Sequence, residues 1–378
     1  MNNLKKENVF NNEISHPSQM DICFSEKCNL DCDYCFVNKT SESVLDYKTI
    51  EKAIDTFYEL SGNDKTITFT TSEPFIYPDL FVSSVNYIFK RAAEKGINIS
   101  VVATTNGVAF DKKMQDFVSK MDERFTINFS LDGGAKSHGA HRKTRGGDGV
   151  NSFDLAWKNF KNFSLNKKRK CSMRVISTIS PSEVGHLEEN VNFMTSNNFP
   201  YIDLFPQMLT LWSEVDVRKL KKRLGVVIKK YNDNDKINFR LLNRLWGSSH
   251  YAKILLGADG NFYFFEWVLP LKEEDRKGFI IGDAGKIDLE KRKKLFDLLF
   301  LKLTKAVDDK CQTCEYGYIC ANPLPLYLWS VYNGKNFLEY FKNFCKIADV
   351  MIGSSKIIKN KNKLDDKKCQ KHKGSKTC

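Results

Sequence analysis

No apolar run in this chain of 378 residues approaches the ~20 that a bilayer-crossing helix needs. The amino-terminal stretch MNNLKKENVFNNEISHPS is polar and has no apolar h-region, so no secretory signal is read and a cytoplasmic location is expected. Internal repeats are absent, which removes solenoid and propeller architectures. Acid is the scarcer charge: 46 Asp and Glu against 59 Lys and Arg, a net charge of +13. A basic surplus can mean a nucleic-acid partner. Its location argues otherwise, because the last stretch, SSKIIKNKNKLDDKKCQKHKGSKTC, carries nine lysines against two aspartates. Residues 353–378 are therefore expected to form a basic, solvated, disordered tail, with contact to an acidic peptide or polyanion as the alternative. Neither a membrane nor a nucleic acid is the expected partner.

What remains is a folded chain: 42% hydrophobic and 28% charged residues suit one large domain with a smaller appendage. From about residue 19 to 235, short β-rich runs alternate with longer helical ones. The runs MDICFS, KTITFTT, INISVVATT, FTINFSL, CSMRVISTI and YIDLFPQ read as strands. In the first helical run Ile50, Ala53, Ile54 and Phe57 recur at i, i+3, i+4, i+7. Strand–helix alternation predicts an α/β fold of parallel strands with right-handed crossovers, either an open partial barrel or a doubly wound sheet. Chemistry is then expected on loops that follow the strands' carboxyl ends. From 236 to 352 the pattern changes: a hairpin around Ala258-Asp259-Gly260-Asn261, a helix near 287–306, a cysteine-rich loop at 311–320 and a helix over 335–352. Residues 1–18 are read as an extension.

Eleven cysteines are many for a reducing compartment, where clustered thiols point to metal or cluster ligation rather than disulfides. Cys28, Cys32 and Cys35 have the spacing C-x3-C-x2-C directly after the first predicted strand. Soft thiolates suit iron–sulfur clusters and zinc alike. Three local cysteines leave one iron of a 4Fe–4S cluster without a protein ligand, open to a cosubstrate. The segments TSEP (71–74), TTNG (104–107) and SLDGGAKSHGAHRKTRGGDG (130–149) each follow a later predicted strand. Cys311, Cys314, Cys320 and Cys345 form a second group, C-x2-C-x5-C-x24-C, which can close a cluster completely or hold zinc. Cys23 and Cys171 fall in strands and are expected as core thiols. Cys369, His372 and Cys378 are read as adventitious.

The cysteine loop, whose aromatic before the third cysteine is Tyr34, resembles that of the radical S-adenosylmethionine superfamily. The three later segments, in strand order, extend the resemblance. It implies a partial (β/α)6 TIM-like barrel over 19–235 and a 4Fe–4S cluster on Cys28, Cys32 and Cys35. That cluster cleaves S-adenosylmethionine to a 5′-deoxyadenosyl radical. Glu73 matches the motif residue that grips the methionine ammonium, although Thr71 and Ser72 replace its usual glycines. Thr105, Asn106 and Gly107 are implied as cosubstrate contacts, Ser130 and Asp132 as ribose contacts, and Arg142 as a partner of the methionine carboxylate. His138 reads equally as structural or functional.

The second group resembles the SPASM extension of peptide-maturing radical enzymes over 236–352, with one auxiliary 4Fe–4S cluster. The second auxiliary cluster of full SPASM domains would need cysteines where Phe265 and Leu324 stand. Glu266 falls where sulfatase-maturing relatives have a proton-accepting carboxylate, and a solvent-exposed hairpin glutamate is its plainer reading. The implied activity is oxidative modification of a ribosomally made precursor peptide, with crosslinking by thioether, carbon–carbon or cyclophane bonds favoured. Alternatives are dehydrogenation as in sulfatase maturation, a small-molecule dehydrogenase and a peptide epimerase. From another class, a non-catalytic zinc or iron–sulfur protein binding nucleic acid through its basic surface explains the charge and the cysteines but not the ordered motifs. An external one-electron reductant such as flavodoxin or ferredoxin is implied as partner. Only 27 residues precede Cys28, too few for a leader-binding winged helix. Precursor recognition is then expected at the barrel mouth, the second region, the tail or a separate protein.

Overall fold

The computed structural model describes residues 13–39, 41–146, 151–199, 201–231, 238–241, 251–307 and 323–372. Its centre is a run of parallel strands: β1 (Gln19–Ile22), β3 (Asp64–Phe69), β4 (Asn98–Thr105), β5 (Phe125–Ser130), β7 (Ser172–Ile179) and β8 (Tyr201–Pro206). Two short strands between them, β2 (Leu30–Cys32) and β6 (Arg142–Thr144), pair with each other instead. The spatial order β1-β3-β4-β5-β7-β8 never reverses. Right-handed crossovers between strands laid down in one direction keep the helices on one face, the barrel arrangement rather than the doubly wound one. The sheet stays open, running on through β9 (Asn238–Leu241) at one edge.

The crossover helices are α1 (Tyr47–Tyr58), α2 (Pro78–Lys95), α3 (Lys112–Ser119), α4 (Ala135–His141), α5 (Ser152–Ser164), α6 (Leu187–Ser196) and α7 (Glu214–Tyr231). Asp46 caps α1 by accepting from the Thr49 N–H. That helix buries Ile50, Ala53, Ile54 and Phe57, the face its periodicity predicts. Full burial of each large side chain contributes about 1.5–3 kcal/mol. Strand alternation does the matching work on the sheet. Phe69, Phe125 and Phe129 point at the helices, where Phe81, Phe160 and Phe163 receive them. The opposite face carries Asp21, Thr68, Thr104, Asn128, Ser130 and Thr178 in register. That face is therefore largely polar, with Val102 and Ile176 among its apolar members.

The carboxyl-terminal region shares this sheet. β10 (Lys253–Leu256) pairs parallel with β1, Gln19 opposite Lys253. β11 (Asn261–Tyr263), β12 (Ile280–Asp283) and β13 (Lys286–Ile287) continue antiparallel. The expected hairpin is present. Helices α8 (Leu289–Ala306), α9 (Pro323–Tyr332) and α10 (Phe337–His372) follow. Asn343 on α10 bonds the backbone of Trp212 in both directions, at 2.9 and 2.6 Å. One connected core contains residues from before and after position 236.

The tail corrects an expectation. Residues 353–372, read as disordered, continue α10 as far as His372. Lysine and leucine are good helix formers, and extending an existing helix needs no new nucleus. Residues 373–378 lie outside the described residues. Among the described residues no helix is long and apolar enough to cross a membrane.

Candidate active site

The sequence motifs meet at the carboxyl ends of β1, β3, β4 and β5. Cys28, Cys32 and Cys35 are free thiols in the segment after β1, with Cys32 ending the short strand β2. The Cys28 sulfur accepts from the Leu30 N–H at 3.4 Å and the Asn106 amide at 3.6 Å. Burial pushes the Cys28 thiol up to about 12 and also raises Cys32. Cys32 lies within electrostatic reach of both other cysteines. Before any metal binds, these two thiols hold their protons at neutral pH, so ligation must displace them. Cys35 is exposed. Among the described residues no group of three or more His, Cys, Asp or Glu is arranged to hold a single metal ion.

Glu73 brings two motifs together. It caps the 3-10 turn Pro74–Ile76, accepting from the Phe75 N–H at 3.2 Å. The same carboxylate accepts from the Thr105 hydroxyl at 2.8 Å and the Asn106 N–H at 2.7 Å. Asn106 in turn reaches Asn29 at 2.7 Å as well as Cys28. Burial raises Glu73 to about 7, even though three hydrogen bonds oppose the shift. Among the described residues no cationic side chain pairs with it.

Thr71 has φ +83°, the left-handed region where the resembling motif has glycine. The backbone keeps the glycine-like path, and a β-branched residue there carries roughly 1–3 kcal/mol of strain. In TTNG the glycine is retained: Gly107 has φ +81°, and a Cβ would stand 3.3 Å from Ala156.

Asp132 and Arg142 are each other's partners. They face each other, buried, with Arg142 Nε 2.8 Å and Nη2 3.1 Å from the Asp132 oxygens. Asp132 also accepts from the Tyr34 hydroxyl and from the Thr178 N–H at 2.8 Å. The guanidinium lies 5.3 Å from the Tyr34 ring centroid. Burial works against the Asp132 charge, but Arg142 outweighs it and holds the carboxyl below its usual range. These contacts tie Tyr34, and with it the cysteine loop, to β5 and β7. Ser130 ends β5, half-buried. His138 is fully buried, with its ring edge against Phe153 at 5.6 Å. Burial lowers it to about 4, so it is neutral.

Glu266 is no exposed hairpin residue. It is buried, in the 3-10 turn Glu266–Val268, because the chain folds inward directly after β11. Its carboxylate lies 3.5 Å from Lys253 Nζ, which stands 3.2 Å from Asp21. The turn borders the cysteine loop: Trp267 meets Phe36 at 5.1 Å, and Asn38 N–H donates to Leu269 at 3.0 Å. A buried ion pair, Glu26–Arg276, fastens the two segments.

Cys311, Cys314 and Cys320 lie outside the described residues. Cys345 is half-buried in α10. Cys23 and Cys171 are core thiols. Sequence reasoning missed the β2–β6 pairing, the Asp132–Arg142 pair, Lys253 and Glu26–Arg276. None has a local periodicity, and only the proximity of Arg142 to a motif hinted at one of them.

Three free thiols after the first strand of an open parallel sheet, and a buried carboxylate after the next, stand where α/β enzymes of this architecture carry their chemistry. Residues 22–182 match the Radical SAM superfamily, so the chain carries a Radical SAM domain, and it is an enzyme. A domain of that superfamily implies S-adenosylmethionine and a 4Fe–4S cluster as cofactors. The donor set fits, being three unpaired soft thiols on one loop.

The chain is 22% identical to a cysteine-type anaerobic sulfatase-maturating enzyme of Clostridium novyi, over 85% of this chain and 92% of that one. It is 19% identical to the enzyme of that name from Clostridium perfringens, over 78% and 85%. A match of 29% identity to the uncharacterized protein MJ0907 of Methanocaldococcus jannaschii covers 29% of this chain and only 36% of that protein. The fold is similar to native anSMEcpe with bound AdoMet, at TM-score 0.71, 16% identity and coverage of 90% and 99%. It is also similar to Streptococcus suis SuiB bound to precursor peptide SuiA, at TM-score 0.58, 18% identity and coverage of 86% and 77%.

Proposed function

We propose that this enzyme oxidatively modifies a ribosomally made precursor peptide, and that crosslinking is the modification. The observation that carries the reading is Glu266, buried between Lys253 and the cysteine loop, where a proton acceptor can meet a substrate held at the barrel mouth. Likeness to SuiB with its precursor peptide supports a peptide substrate. When bound, the cluster and S-adenosylmethionine supply hydrogen-atom abstraction from carbon.

This chain's residues divide the remaining work. Cys28, Cys32 and Cys35 hold the cluster. Glu73, steadied by Thr105 and Asn106, takes the methionine ammonium through charge-assisted hydrogen bonds. Ser130 stands by the ribose. Asp132, Arg142 and Tyr34 are assigned chiefly to holding the loop in shape, since their polar groups engage one another. Glu266 accepts the substrate proton. Forming a bond after loss of one hydrogen atom and one proton leaves one electron over. Cys311, Cys314, Cys320 and Cys345, in a SPASM-like region over 236–352, would hold an auxiliary 4Fe–4S cluster, which would supply a one-electron acceptor; a flavodoxin or ferredoxin is the proposed external reductant.

The second reading, dehydrogenation of a peptide cysteine or serine, is favoured by the two clostridial relatives. Mass spectrometry of short peptides encoded beside this gene, co-expressed with the enzyme, separates the two. Crosslinking gives loss of a hydrogen pair and a product inert to hydrazine reagents. An aldehyde trapped by hydrazine establishes dehydrogenation. Unchanged mass with deuterium taken up from solvent overturns both in favour of epimerisation.

A further inference from the structure

We infer that His141 is a positioning residue for the cysteine loop, locking Asp33 against the end of β7; this rests on the reading of Cys28, Cys32 and Cys35 as cluster ligands. Asp33 stands between the second and third of those cysteines. Both its oxygens lie near His141 Nδ1, at 3.0 and 2.8 Å. On the far side of the ring, Nε2 is 2.7 Å from the Ser180 hydroxyl and 3.4 Å from that of Ser182. Ser180 is itself 3.0 Å from Ser182 and accepts from the Glu183 N–H at 3.2 Å.

The donors and acceptors fix the ring. A carboxylate only accepts, so Nδ1 carries the hydrogen. In the neutral ring Nε2 then accepts from Ser180. The order carboxylate–imidazole–hydroxyl is that of a nucleophilic triad, but Ser180 is 1% exposed and its oxygen has no path to a substrate carbonyl. The arrangement orients rather than attacks.

What it orients is the loop. Asp33 N–H donates to the His141 carbonyl at 3.2 Å. Tyr34 lies 5.5 Å from the imidazole, ring to ring. Cys32 pairs in register with Arg142, the next residue. Three consecutive loop residues thus contact His141 or its neighbour. Asp33 alone, with its side chain 52% exposed, would hold little in place through a surface contact. The buried imidazole, anchored by Ser180, supplies the rigidity. Partners behind metal ligands set ligand orientation in the same way.

Two variants separate the contact from mere bulk. His141→Phe keeps a ring and loses both hydrogen bonds. His141→Asn keeps a donor near the Nδ1 position. In the metal-free protein, amide hydrogen exchange at Asp33 and Tyr34 is expected to quicken about tenfold in His141→Phe and to return toward wild type in His141→Asn, as a lost and a kept orienting bond. After anaerobic reconstitution, His141→Phe should retain its iron. The cluster's midpoint potential should shift, and cleavage of S-adenosylmethionine should slow by about 10–100-fold. If His141→Phe does not fold, Ser180→Ala reads the same link from its other end, with the same acceleration of exchange expected. Wild-type exchange and potential in His141→Phe, or His141→Asn behaving like it, would overturn the inference. Wild-type protein that takes up no iron would instead sink the cluster reading, and the inference with it.

Discussion

Glu73 and Asp132 are both buried carboxylates at the carboxyl ends of parallel strands, yet they sit in opposite electrostatic states. The end of β3 gives Glu73 three neutral donors and no cation, and burial raises it to about 7. The end of β5 gives Asp132 an arginine, and it stays below its ordinary range. Asp132 has its counter-charge within the protein, so it builds. Glu73 lacks one among the described residues, which supports its proposed role of taking an incoming ammonium.

The strongest way to break this contrast is at Arg142. Arg142→Met leaves Asp132 buried and unpaired, which should cost about 3–5 kcal/mol of stability. Denaturant unfolding of the metal-free protein reads this directly, and a loss near zero would remove Asp132 from its structural role. Glu73→Gln should do the reverse. Below about pH 4.5, where Glu73 carries its proton, stability of the metal-free protein should change little. S-adenosylmethionine affinity of the reconstituted enzyme should fall by about 10–100-fold, the worth of one hydrogen bond to a charged group. Calorimetric titration measures it.

The two carboxylates also give opposite pH signatures. Glu73 binds its proton more tightly folded than unfolded, so its contribution to stability is full below about 4.5 and is lost as pH rises towards about 7. Asp132 binds its proton less tightly folded, so its contribution is present above 3.8 and disappears as pH falls below that. Stability–pH curves of wild type, Glu73→Gln and Asp132→Asn should separate in those windows, and a Glu73→Gln curve parallel to wild type between pH 4.5 and 7 would contradict the assignment. The smallest expected effect is at Thr71. Thr71→Gly relieves the left-handed strain but adds chain entropy to the unfolded state, for a net gain of about 1 kcal/mol. A loss would mean that the threonine side chain supports the turn more than its backbone opposes it.

The sequence made the ends of the strands legible because turn motifs there follow hydrophobic runs of fixed period. TSEP, TTNG and SLDG could be ordered without coordinates, and the buried face of α1 could be named residue by residue. The pairing of Asp132 with Arg142 could not. It depends on a short helix turning the chain back so that β6 meets β2, and neither strand is long enough to show alternation. The same holds for Asp33 and His141, 108 residues apart. Burial of Glu266 was hidden for a related reason: a glutamate after a hairpin looks solvated until the chain folds inward behind it. Tail helicity was missed because a lysine-rich stretch lacks an apolar stripe even where it extends an existing helix.

The most direct test of the central claim is an iron count after anaerobic reconstitution, with assay of 5′-deoxyadenosine, on wild type and a Cys28/Cys32/Cys35→Ala variant. The account predicts about eight irons in wild type, about four in the variant, and deoxyadenosine from wild type alone, as one open and one closed 4Fe–4S cluster require. Equal iron in both proteins, with cleavage surviving loss of the three thiols, would contradict it.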